Sequence, residues 1–122
     1  MIGSRHDTTT PPVPVGRVTL LPLASGSTAH GTATMLADHE LEIDATGLAP
    51  SPANTVYTVW LLNRNLTMEP VGSFQVGTDG RTHILMPMPF NAQRYDFLDI
   101  SVEPDNGVPT HSGKSVLRAT IT

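Results

Sequence analysis

Five histidines, five methionines and a row of alternating carboxylates are the side chains of this sequence best suited to chemistry. The histidines are His6, His30, His39, His83 and His111. A zinc site needs three or four ligands converging at about 2.0–2.1 Å from the ion. None of the five stands at short ligand spacing from another, His6 lies in a Thr/Pro-rich leader, and His30 and His39 fall near opposite ends of one hairpin. No metal site and no cofactor are therefore expected. The absence of cysteine removes disulfides, thiolate ligands and cysteine nucleophiles together, and any blue-copper centre with them. A weaker copper site of Met35, Met68, Met86 or Met88 with a histidine is conceivable, but methionine more readily fills irregular core space.

Serine, histidine and aspartate are all present, yet there is no Gly-x-Ser-x-Gly elbow and no serine on a strand-to-helix turn. Glu40, Glu42 and Asp44 alternate, so they share one face of a strand. That is the pattern of the solvated side of a half-buried strand rather than of a catalytic cluster. Asn65-Leu66-Thr67 has the form of a glycosylation acceptor, which matters only in a eukaryotic secretory setting. Trp60 suits either a ligand-stacking surface or an anchor between two sheets, and on a central strand the anchor fits better. Glu103-Pro104 admits a binding role, or more plainly a strand end, because proline cannot donate to the ladder. No nucleophile, base and orienting group stand out as a set, so no catalysis is expected.

The elements that carry these residues follow from composition and pattern. A chain of 122 residues is one domain able to bury its own core. With 39% hydrophobic and 15% charged residues, 10 glycines and 11 prolines, it suits an all-β domain. A net charge of -4 with seven scattered basic residues gives no footprint for nucleic acid. No apolar run reaches the roughly 20 residues that span a bilayer. The start, MIGSRHD, lacks a signal peptide's apolar region, and Met1 to Arg5 read as an expression leader.

Residues 1–16 include TTTPPVPVG and read as a flexible Thr/Pro-rich leader or linker. The domain proper is expected over 17–122. Strands are expected at 17–23, 31–37, 39–45, 55–63, 71–76, 81–86, 97–103 and 115–122, with one helical turn near 91–94. The 55–63 strand is apolar on both faces and should be central and covered on both sides. About eight short strands at spacings of roughly 8–12 residues predict a Greek-key, immunoglobulin-like β-sandwich.

The order of these elements resembles the extracytoplasmic C-terminal domain of the anti-sigma-K factor family. The resemblance runs through Tyr57, Val59, Trp60 and Leu61, then Gly72 and Phe74, then Asp79 and Gly80, then Leu85 and Pro87. It continues with Ile100, Val102, Glu103 and Pro104, and ends with Gly107, Pro109, Thr110 and Gly113. No one of these motifs is specific; their order and spacing from about Val18 to Thr122 carry the likeness. Asp105-Asn106-Gly107 stands where the family more often has a Gly-Gly pair.

The resemblance implies a non-catalytic sensory or regulatory domain on the extracytoplasmic face of a bacterial cell membrane, in a single-pass parent protein. It implies that envelope signals are relayed to sigma-factor release through regulated proteolysis. Family members hold the sigma factor with a cytoplasmic zinc-binding domain and cross the membrane once. Neither segment is in this chain, which is expected to be an excised piece. Partners would be an envelope component or a protease. The alternative is a secreted β-sandwich that binds a small ligand, a metal or a cell-surface partner. Contacts are expected through the loops 46–54, 63–70 and 104–114, with Arg64, Glu69, Asp105 and His111 as partner-binding candidates, and by strand addition at exposed edges.

Overall fold

Alternating apolar and polar side chains along the chain become eight antiparallel strands in the computed structural model, which describes residues 13–89, 91–108 and 110–121. Residues 1–12, with most of the expected leader and His6, lie outside the described residues, as do Phe90, Pro109 and Thr122. The strands are β1 (Pro14–Pro22), β2 (His30–Leu36), β3 (Glu40–Thr46), β4 (Thr55–Leu62), β5 (Met68–Phe74), β6 (Thr82–Pro87), β7 (Phe97–Pro104) and β8 (Ser115–Thr120). One 3-10 turn, Ala92–Arg94, precedes β7, where a helical turn was expected.

The all-β class and the number of strands agree with the sequence reading. The arrangement differs from two stacked sheets: the strands form one sheet in the order β5-β4-β7-β8-β1-β2-β3-β6. β1 joins its two halves, pairing with β2 through Leu20 and with β8 at Leu21 and Pro22. The two ends of the order come into contact, where a Cβ on Gly72 would stand 3.0 Å from the Met86 sulfur. The result is a nearly closed, barrel-like sheet, and the edges β5 and β6 shield each other. Closure of this kind leaves little free edge.

Boundaries shift in two places. β1 begins at Pro14, so Pro14–Gly16 belong to a strand rather than to the leader, and Ala37 N–H donates to the Val13 carbonyl at 2.9 Å. β5 begins at Met68, three residues before its expected start. Val59 pairs with Gly72 and Trp60 with Pro70, so Val71 is an extra residue in a bulge. The bulge breaks the period of two, and the segment before it does not read as strand.

The interior is filled from both halves. Leu20, Ala33, Leu41 and Ile43 meet Val59, Leu61, Leu98, Ile100 and Leu117, all fully buried. Tyr57 stacks on Phe74 with centroids 5.6 Å apart, and its hydroxyl donates to the Ala49 carbonyl at 2.6 Å, tying down the loop before β4. Gly31 marks the tightest approach, since a Cβ there would lie 2.4 Å from the Asp44 carbonyl oxygen.

Ile100 and Leu85 separate core from surface. Ile100→Ala should cost about 2–5 kcal/mol, because the side chain is fully buried. Leu85→Ala, at a site 49% exposed, should stay within about 0.5 kcal/mol. Denaturant midpoints at unchanged slope measure both.

Candidate functional site

The phase of β7 creates the site. Leu98 and Ile100 enter the core, so Asp99, Ser101 and Glu103 must face the other way, outward. They are nevertheless buried, at 0%, 0% and 5% exposure. Residues 105–114 leave β7 and fold back across this outer face. Val102 N–H donates to the Lys114 carbonyl at 3.1 Å, and Ser112 Oγ donates to the Val102 carbonyl at 2.7 Å.

Under this loop lie two buried carboxylates. On Asp99, Oδ1 accepts from Arg118 Nε and lies within 2.9 Å of both Nε and Nη2. Its Oδ2 accepts from Ser115 Oγ at 2.7 Å and from His111 Nε2 at 2.9 Å. On Glu103, Oε2 accepts from Ser101 Oγ at 2.6 Å and from Ser112 N–H at 2.9 Å. Ser101 Oγ in turn accepts from Trp60 Nε1 at 2.8 Å. A carboxylate out of water is tolerated only with such donors around it.

Trp60 is buried, at 2% exposure, but it does not anchor the interior between sheets as expected. Tyr57, Val59 and Leu61 take the inward phase of β4, which leaves Trp60 on the outer face with Thr58. There its ring lies 5.1 Å from that of His111 at an angle of 50°. The two-sided apolarity of β4 came from a core on one side and a covering loop on the other.

Ser115, His111 and Asp99 meet, but their wiring is not that of a nucleophile and its base. Gly113 N–H donates to His111 Nδ1 at 2.8 Å, so the ring carries its proton on Nε2. That proton goes to Asp99, and Ser115 donates to Asp99 as well. Nε2 then has no lone pair with which to take a proton from Ser115, 3.3 Å away. The three residues form an anchor for the loop.

The expected contact residues do not form one patch. Arg64 is exposed, pairs with Asp96 at 3.0 Å and lies over the Phe97 ring at 5.2 Å. Glu69 accepts from the Tyr95 hydroxyl at 3.2 Å and from Asn91 at 3.3 Å. Burial first, and this bond second, push the Tyr95 hydroxyl pKa upward. Both sites lie near the end of β4 where Leu62 pairs with Phe97, whereas Asp105 follows the other end, where Thr55 pairs with Pro104. Asp105 is exposed, while the His111 side chain is only 13% exposed and engaged as described.

Sequence reasoning missed Asp99, Ser101, Ser115 and Arg118, and left Glu103-Pro104 between a binding role and, more plainly, a strand end. The available signal was three polar residues in one phase on a strand beside a strand buried on both faces. Among the described residues no three His, Asp or Glu side chains are grouped to hold a metal ion. Met86 and Met88 pack in the core. Glu42 and Asp44 line the solvated side of β3, where Glu42 lies 2.7 Å from His83 Nε2.

A family model described as anti-sigma-K factor rskA, C-terminal, matches residues 5–115. No curated protein and no solved structure matches the chain significantly.

Two outcomes follow from this geometry. Asp99→Asn places an amide NH2 or a weakened acceptor opposite donors and should cost about 1–3 kcal/mol. Emission of the sole tryptophan should move to the red as the loop loosens; unchanged emission and stability would contradict the anchor. For His83, the bond to Glu42 is the largest cause that raises its pKa above the ordinary 6.5. A raised value in the folded state means a contribution present below 6.5 and lost as pH rises through the folded value. The NMR titration midpoint of His83 should therefore lie above 6.5 and fall in Glu42→Gln.

Proposed function

Because the chain belongs to the anti-sigma-K factor rskA C-terminal family, we propose that it is the non-catalytic, extracytoplasmic regulatory domain of a bacterial membrane anti-sigma factor. In this reading it receives an envelope signal and relays it to release of a sigma factor held by a cytoplasmic part of the parent protein. The family match over residues 5–115 is the observation that carries the reading. No helix among the described residues is long and apolar enough to cross a membrane, so the proposal assigns the anchor to a segment outside them.

The physical build suits such a role. A rigid, nearly closed sheet presents loops at both of its ends, and loops on rigid scaffolds are the usual contact elements. At one end Arg64 and an exposed Leu66, with φ 69, project from the β4–β5 connection. At the other end the 105–114 loop is held by internal charge rather than by apolar packing. A partner protein or protease that engages this loop would compete with Asp99 and Glu103 for its donors. The domain would act by altering access to the parent chain, and its Ser-His-Asp group would serve as the loop's latch.

The test uses the full-length parent protein in cells with a sigma-dependent reporter. Exchange of residues 63–67 or 105–114 for unrelated loops of equal length should change reporter output, and a phosphatase fused after Thr122 should be active outside the membrane. Unchanged output in both loop exchanges would overturn the regulatory contact, and a fusion active only inside would overturn the location.

A further inference from the structure

We propose that the outer face of this domain holds a binding site for a primary ammonium group on an apolar stem, with Glu103 as its counter-charge. The two buried carboxylates of β7 are unequal. Asp99 has an arginine and a histidine of its own. Among the described residues Glu103 has no cation paired with it, and while Oε2 accepts two hydrogen bonds, Oε1 is buried with no hydrogen-bond partner. A half-satisfied carboxylate in a site 5% exposed is costly unless something completes it.

Glu103 also forms part of the wall of a cavity of about 220 Å³. Among the described residues no Lys, Arg or His lines that cavity, and Asp105 adds a second carboxylate to its lining. Thr58 and Ser73 contribute hydroxyls that bond each other at 2.9 Å and keep lone pairs for a further donor. The Trp60 ring, whose N–H is already committed to Ser101, offers the π-system that attracts a cation. Val56, Pro70 and Val108 supply apolar wall for the stem. Acceptors, negative charge and an aromatic ring around apolar walls select a cation that donates three hydrogen bonds, which is an alkylammonium. An anion would meet repulsion, and a neutral alcohol would leave the carboxylate without its counter-charge. The same chemistry arrives on a free amine or on a lysine of a peptide.

The test is an amide and indole N–H titration by NMR with n-butylammonium, with n-butanol of the same shape, and with Nα-acetyl-lysine methylamide. The expected result is a saturating shift of the Trp60 indole N–H and the Ser112 amide with an amine, and binding of the alcohol at least about tenfold weaker, equivalent to about 1.4 kcal/mol. Glu103→Gln should abolish the preference for charge. Val56→Phe, which fills the cavity from the β4 position paired with Glu103 and keeps the carboxylate in place, should abolish binding while leaving the unfolding midpoint unchanged; it keeps the test valid if Glu103→Gln fails to fold. Binding of butylammonium as tightly as the lysine derivative assigns the site to free amines, and binding of the lysine derivative alone assigns it to a peptide. No shift with either amine, equal binding of butanol, or binding that survives Val56→Phe would overturn the proposal.

Discussion

Two carboxylates buried on the outward face of one strand are the constraint around which the rest of this domain is arranged. Asp99 and Glu103 are held out of water, and neither can remain there without donors on several sides. For Asp99 the donors come from β8, through Ser115 and Arg118, and from the returning loop, through His111. For Glu103 they come from Ser101 on its own strand and from the backbone of Ser112. The path of residues 105–114, the burial of Trp60 and the seating of β8 beside β7 are thus parts of one solution. Such networks contribute little net stability compared with apolar packing, but losing one member is costly. Their effect is to admit a single geometry for the loop.

Stability comes from the opposite side of the same strands. Leu98 and Ile100 of β7 and Val59 and Leu61 of β4 fill the interior with residues from β1, β3 and β8. β4 and β7 are therefore covered twice, by the core within and by the folded-back loop without. Since β1 serves both halves of the sheet and β5 meets β6, the scaffold has few free edges to deform. The loop's contacts thus lie on the side of these strands opposite to the core.

Strand positions were legible in the sequence because each strand with one wet face shows its period of two, as Leu41, Ile43 and Ala45 do against Glu40, Glu42 and Asp44. Closure was not, because the sharing of β1 between two neighbours leaves no local trace. The first half of β5 was hidden by the bulge at Val71, which reverses the phase. The face occupied by Trp60 was unreadable for a simpler reason: a strand apolar on both sides does not say which side is the core. The site itself joins Trp60, Asp99, Ser101, Glu103, His111, Ser112, Ser115 and Arg118, distant positions that meet only once the loop has folded back. Choosing polar residues in turn-rich loops named Asp105 and His111 as partner contacts, whereas the His111 side chain is held by the Asp99 carboxylate beneath the loop.

Amide hydrogen exchange of the intact domain at Ser112 and Gly113 tests the central claim directly. Both amides lie in a loop, and each donates to a side-chain acceptor, Glu103 Oε2 and His111 Nδ1. If buried carboxylates fix this loop, both amides exchange slowly, at rates near those of the β7 amides, and they speed up together when Asp99 is replaced. Exchange as fast as that of the exposed Asn106 amide in the unaltered protein would contradict the account, because the loop would then be free of the face it is described as closing.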